Sequence, residues 1–179
     1  MYKDFESILV SKEALQKRIS ELASQLDKDY KNSNPLLICI LKGSVFFTAD
    51  LLKAMSIPCE MEFMAVSSYG SDTQTSGEVK MIKDLSVPIE DRDVIIIEDI
   101  IDTGNTLSYL KRLLLQRNPK SVKICTLLDK PDRRKVDLSA DYVGFVIPDE
   151  FAVGYGLDYN EKYRTFDEVY VLKREVYEK

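Results

Sequence analysis

Between Pro35 and Pro148 the sequence sets short, unbroken apolar runs apart by segments with helical spacing, and this alternation limits the folds open to it. The runs are PLLICIL (Pro35 to Leu41), DVIIIEDI (Asp93 to Ile100), SVKICTLLD (Ser121 to Asp129) and YVGFVIP (Tyr142 to Pro148). Runs this short and this apolar read as strands buried on both faces. Leu15, Ile19, Leu22 and Leu26 repeat at helical spacing after Ser11, a candidate N-cap. Val45 to Met55 and Thr106 to Arg117 are also helical, the second with Leu107, Leu110, Leu113 and Leu114 on one face. CEMEFMAVSS (Cys59 to Ser68) and FDEVYVLK (Phe166 to Lys173) complete the expected strands. Strands alternating with helices predict an α/β fold: a mostly parallel central sheet flanked by helices.

At 179 residues, 45% of them hydrophobic, the chain is long enough for one domain with a sizeable core. It shows no internal repeat, low-complexity tract or linker. The N-terminal MYKDFESILV has charges where a signal peptide needs an apolar run, and no apolar stretch nears the roughly 18 residues of a membrane span. Two of the three cysteines, Cys39 and Cys125, lie inside apolar strand runs, as free thiols of a reducing cytoplasm would. A net charge of -5 without a long basic run argues against nucleic acid as the main partner. The sequence has no histidine, so general acids or bases must be carboxylate, lysine, tyrosine or cysteine, and histidine-based metal sites and triads are excluded.

One apolar run ends unlike a core strand. VIIIEDIIDTGNTL passes from Val94 to Ile97 into Glu98, Asp99 and Asp102. Adjacent carboxylates at a strand end repel unless cations or hydroxyl donors sit nearby, and sugar hydroxyls or Mg²⁺ would satisfy them. In DTGNT, Gly104 permits a tight turn before a helix, and the backbone N–H groups and hydroxyls of Thr103 to Thr106 suit an anion at the helix N-terminus. The alternative is that Asp102 merely caps that helix. In open α/β sheets ligands bind beyond the carboxyl ends of the strands, where Lys42 and Gly43, Ser68 and Tyr69, Glu98 to Thr106, and Lys130 all fall. Tyr69 to Lys80 is polar and aperiodic, and is expected to be a loop.

VIIIEDIIDTGNTL resembles the phosphoribosyl diphosphate (PRPP) binding motif of type I phosphoribosyltransferases. LKGS (Leu41 to Ser44), SSYGSDTQTSGEVK (Ser67 to Lys80), LLDKPDRR (Leu127 to Arg134) and GFVIPDEFAVGYGLDYNEKYR (Gly144 to Arg164) narrow the resemblance to the hypoxanthine-guanine phosphoribosyltransferase family. It implies the type I fold, with a core over about 30–148 and a small hood from about 1–30 and 149–179. It also implies transfer of phosphoribose from PRPP to hypoxanthine or guanine, giving IMP or GMP and pyrophosphate with Mg²⁺, in a cytoplasmic homodimer or homotetramer.

By the same resemblance, Glu98 and Asp99 hold the ribose hydroxyls and, with Asp158, the metal. Asp102, Thr103, Gly104, Asn105 and Thr106 cradle the 5′-phosphate, although many relatives carry another residue at Asn105. Lys42, Gly43, Arg164 and, as a further candidate, Arg134 meet pyrophosphate, and the Leu41–Lys42 peptide is often cis in the family. Lys130, Phe151, Ala152 and Asp158 hold the purine, Ser68 and Tyr69 begin a lid, and Asp102 is the base that removes the N7 proton. Two other functions fit the same residues: preference for xanthine, or a regulator that binds PRPP or nucleotide without turnover. Singly, Lys130 reads as a solvated strand-end lysine, Phe151 as core, Asp158 as a turn residue and Arg164 as a surface ion pair.

Overall fold

The computed structural model describes residues 2–68 and 79–178. A 3₁₀ turn at Tyr2–Asp4 leads into β1 (Phe5–Val10) and α1 (Lys12–Asp29), then β2 (Leu36–Leu41), α2 (Val45–Ala54) and β3 (Glu60–Ser68). β4 (Val79–Lys83), β5 (Asp93–Ile101), α3 (Asn105–Leu115) and β6 (Ser121–Asp129) follow. After a 3₁₀ turn at Pro131–Arg133 come β7 (Tyr142–Val146), β8 (Ala152–Val153), β9 (Val169–Leu172) and α4 (Arg174–Tyr177).

Six strands form the main sheet in the order β4-β3-β2-β5-β6-β7. All neighbours run parallel except β4, which returns antiparallel along β3. Alternate residues of each buried strand serve opposite faces, as the two-residue period requires. Leu37, Ile95, Ile97 and Leu127 share one core with Leu15, Ile19, Leu22 and Leu26 of α1 and Phe47 and Leu51 of α2. Leu36, Ile38, Val94, Ile96 and Ile124 face the other way and pack with Leu107, Leu110 and Leu114 of α3. Each such leucine, fully withdrawn from water, contributes about 1.5–3 kcal/mol. Ser11 caps α1 as expected, its Oγ accepting from the Ala14 N–H at 3.3 Å.

The expected strands and helices are present, with three departures. Val79 and Lys80, read as the end of a polar loop, belong to β4, where Val79 pairs with Ser68. The last long strand starts at Val169 rather than Phe166. Both chain ends build a second sheet, in the order β1-β9-β8, for which the sequence showed only β9. β1 escapes periodicity because its burial does not alternate and its pairing with β9 contains two register shifts. β8 is only two residues long.

In the main sheet β3 lies on one side of β2 and β5 on the other, so the strand order reverses between β2 and β5. Such a reversal opens a crevice at the carboxyl ends of the two strands. Here β2 ends at Leu41 and leads into Lys42-Gly43, and β5 carries Glu98 and Asp99 in its last four residues.

Candidate active site at the strand-order reversal

β5 carries its apolar run straight through Glu98 and Asp99 to Ile101, so the two carboxylates stand on the strand itself. The Leu41–Lys42 peptide is cis. Gly43 then passes so close to Asp99 that a methyl group in place of its hydrogen would overlap the carboxylate, with Cγ only 2.6 Å away. Asp99 Oδ1 accepts from the Ile100 N–H at 2.7 Å. Burial pushes the Glu98 carboxyl well above its ordinary range, and the Asp99 charge adds to the effect. Burial also raises Asp99, against the hydrogen bond from Glu98. Two desolvated neighbouring carboxyls are donors suited to a hard divalent cation. Among the described residues no group of three or more Cys, Asp and Glu converges as a metal cage.

Asp102 to Gly104 form the turn between β5 and α3. The helix is capped by Gly104 at φ 82°, a left-handed conformation, with no side-chain cap bond. Asp102 therefore does not cap α3, and its carboxylate is left for other partners. Arg134 braces this turn from outside: its Nη1 donates to the Asp102 carbonyl at 3.3 Å, and its Nη2 is ion-paired with Asp129. The Lys135 N–H donates to the Thr103 carbonyl at 2.9 Å. A cavity of about 230 Å³ opens against Glu98, Asp102, Thr103, Gly104 and Thr106. Asn105 begins α3, its N–H 3.5 Å from Thr103 Oγ1.

A second cleft, about 540 Å³, runs from Asp99 and Asp102 to Lys130, Phe151, Ala152 and Asp158. Lys130, at the end of β6, is only 7% exposed, which sets aside the reading of a solvated lysine. Its N–H donates to the Ile101 carbonyl at 2.9 Å, and its Nζ donates to the Glu150 carbonyl. Phe151 is half-buried, stacked on Tyr177 at 4.6 Å between ring centroids and edge-on to Tyr159 at 5.6 Å. The adjoining β8 fixes Ala152 through its pairing with Val171 of β9.

Glu161 joins two of the expected cations, with Oε1 3.1 Å from Lys42 Nζ and Oε2 3.3 Å from Arg164 Nη2. Those two cations, Lys42 first, hold the Glu161 carboxyl below its usual range. Arg164 also meets Asp158 at 2.9 Å and donates from Nη1 to the Gly156 carbonyl at 2.8 Å. Arg134 touches the Asp102–Gly104 turn, whereas Lys42 and Arg164 share Glu161. Ser68 ends β3; Tyr69 and the rest of the expected lid, through residue 78, lie outside the described residues.

Arg133, Asp149, Glu161 and Tyr177 also stand at these sites, although none was a candidate. Arg133 Nε donates to Asp102 Oδ1 at 3.0 Å. The only sequence signal was position: Arg133, Asp149 and Glu161 fall inside motifs already picked out, and Tyr177 has none.

A family model described as "Phosphoribosyl transferase domain" matches residues 7–160. The chain is 54% identical over 178 residues to a hypoxanthine-guanine phosphoribosyltransferase of Bacillus subtilis, covering 99% of each. It is equally 54% identical to the "Bifunctional protein TilS/HprT" of Listeria monocytogenes, matching 99% of this chain but spanning only 27% of that protein. A crystal structure of a hypoxanthine phosphoribosyltransferase from Staphylococcus aureus superposes with a TM-score of 0.96 at 49% identity, covering 100% of this chain and 97% of that one. One from Bacillus anthracis, a hypoxanthine-guanine phosphoribosyltransferase, gives 0.90 at 47% identity, covering 94% and 99%. With its strand-order reversal, its carboxylate pair and its turn before α3, the chain belongs to the phosphoribosyl transferase domain family.

Proposed function

We propose that the chain is a purine salvage enzyme that transfers the 5-phosphoribosyl group of PRPP to N9 of hypoxanthine or guanine. The observation that carries this reading is the continuity of the cleft: Asp99 and Asp102 line the same space as Lys130, Phe151, Ala152 and Asp158. A carboxylate proposed for the ribose, Asp99, and the one proposed as the base, Asp102, thereby border the same space as the residues proposed for the purine. Relatives that match nearly end to end and carry the hypoxanthine-guanine phosphoribosyltransferase name support the same reading.

In this mechanism Glu98 and Asp99 hold the ribose hydroxyls, and Asp102 to Thr106 receive the 5′-phosphate at the N-terminus of α3. Lys42, the Gly43 backbone and Arg164 receive pyrophosphate, exchanging Glu161 for it. Arg134 keeps the phosphate turn in shape rather than meeting pyrophosphate. Phe151 stacks on the purine, the Ala152 backbone and Asp158 read its edge, and Lys130 donates to O6. The C1′–O bond to pyrophosphate breaks as the C1′–N9 bond forms, and the N7 proton passes to the Asp102 carboxylate. Lys130 on O6 draws electron density from the ring and makes that proton more acidic. Glu98, Asp99 and, with Arg164 drawn to pyrophosphate, Asp158 would hold Mg²⁺, which when bound neutralises charge on the leaving pyrophosphate. Base assistance is worth about 10²–10⁴ in rate, so positioning and charge stabilisation supply the rest. Among the described residues no helix is long and apolar enough to cross a membrane. A cytoplasmic homodimer or homotetramer completes the proposal, to be checked by sedimentation.

The test is formation of nucleoside monophosphate from PRPP and Mg²⁺ with hypoxanthine, guanine, xanthine or adenine, alongside Asp102→Asn. Turnover of hypoxanthine and guanine, falling a hundredfold or so in the variant, is expected. Preference for xanthine would revise the substrate. PRPP binding without turnover of any base would leave a regulator.

A further inference from the structure

Four charged side chains of alternating sign run along one wall of the base cleft. Asp102 Oδ1 accepts from Arg133 Nε at 3.0 Å, Arg133 Nη1 lies 3.6 Å from Asp149 Oδ2, and Asp149 Oδ1 lies 3.8 Å from Lys130 Nζ. The two ends of this chain are the residues that the proposed function gives to the purine N7 proton and O6. The two middle members have no role in that reaction.

We propose that Arg133 is a positioning residue for Asp102, and that Asp149 links it to Lys130 so that the groups facing N7 and O6 are oriented as a unit. This rests on the reading of Asp102 as the base. The local fold explains the reach of Arg133. Pro131 starts a 3₁₀ turn closed by the Arg133 N–H on the Lys130 carbonyl at 3.1 Å, and the turn brings the Arg133 side chain back to a residue 31 positions earlier.

Arg133 takes only one carboxylate oxygen. Among the described residues Asp102 Oδ2 accepts no hydrogen bond, so a guanidinium on Oδ1 restrains the carboxylate at that oxygen and leaves Oδ2 for a substrate proton. The fork geometry matters: a planar guanidinium addresses Asp102 and Asp149 together from different nitrogens, which a single ammonium cannot do in the same way. At the far end, Lys130 Nζ spends one proton on the Glu150 carbonyl and turns toward Asp149, which sets its direction into the cleft.

The experiment measures steady-state kinetics for Arg133→Met, Arg133→Lys, Asp102→Asn and the Arg133→Met/Asp102→Asn double variant, each with hypoxanthine and PRPP varied in turn. Arg133→Met is expected to lower kcat about tenfold, between the effect of an exposed ion pair and that of a buried charged hydrogen bond. Its KM for PRPP should stay within about twofold of the parent, since Arg133 touches only the side chain of Asp102, whereas the N-terminus of α3 receives the 5′-phosphate through backbone N–H groups. Arg133→Lys should recover part of the loss. The double variant should be no slower than Asp102→Asn alone, because Arg133 acts through that carboxylate. Asp149→Asn should raise the KM for hypoxanthine with little change in kcat. If Asp102→Asn is impaired while Arg133→Met matches the parent, or if the two losses multiply in the double variant, the positioning role is overturned and the base assignment stands. If Asp102→Asn turns over normally, the base assignment fails and the inference falls with it.

Discussion

Replacing Gly43 by alanine is expected to disable the site while leaving the fold intact, and the reason is a single neighbour. The three nearest atoms to the added methyl would all belong to the Asp99 carboxylate, with Cγ at 2.6 Å. Oδ2 would lie closer still, and ordinary contacts to carbon begin near 3.5 Å, so the carboxyl group must move by about 1.5–2 Å. Its hydrogen bond from the Ile100 N–H, 2.7 Å long, is then lost. Losing that bond and turning the side chain off its preferred rotamer together destabilise by about 2 kcal/mol. In a domain of this size that lowers the melting temperature by about 4–8 °C. PRPP binding, followed by calorimetry, should weaken much more than stability does, since Asp99 leaves its place beside the turn. The decisive comparison repeats Gly43→Ala in an Asp99→Ala background, where no carboxylate remains to collide. There the alanine should be neutral or slightly stabilising, because it restricts the unfolded chain. A penalty of about 2 kcal/mol in both backgrounds would refute the argument and place the strain in the backbone.

Leu110→Ala in α3, whose side chain is fully buried, should destabilise by about 2–5 kcal/mol in urea melts with activity retained in the folded fraction. Lys130→Met should raise the KM for hypoxanthine far more than that for PRPP, and it leaves the Glu150 carbonyl without its donor. Asp84 is held below its ordinary range, first by the bidentate Arg117 at 2.8 and 2.7 Å. Its contribution is therefore complete above the unfolded value near pH 4 and is lost as pH falls through the lower folded value. The stability gap between the parent and Asp84→Asn should be under about 1 kcal/mol at pH 7, for so exposed a pair, and should close on acidification. Burial pushes the Cys125 thiol up to about 12, and Cys39 is also buried. A thiol reagent at pH 8 should therefore modify Cys59 alone in the folded protein and all three cysteines after unfolding.

The sequence disclosed whatever depends on near neighbours along the chain. The short apolar runs LLICIL and DVIIIE, the leucine spacing of α1 and α3, and the glycine in DTGNT each encode local geometry, and the elements formed where those patterns lay. Asp102 was harder to read. A carboxylate before a helix normally caps it, and only the left-handed Gly104 shows that this one does not. β1 stayed hidden because its register on β9 shifts twice and its partners there lie 159–167 positions away, and β8 because a strand of two residues carries no period.

By itself, then, the sequence determined the class of fold, the strand that carries the acids and the turn before α3, because these follow from the period of apolar residues and the φ that glycine allows. Only the tertiary structure decided which strand stands beside β5, that Gly43 lies against Asp99, and that Asp102 meets Arg133 and Lys42 meets Glu161. An ion pair or a close approach is chosen by where the chain returns after 31 or 119 residues, and that return is fixed by the packing of two cores on either side of the sheet.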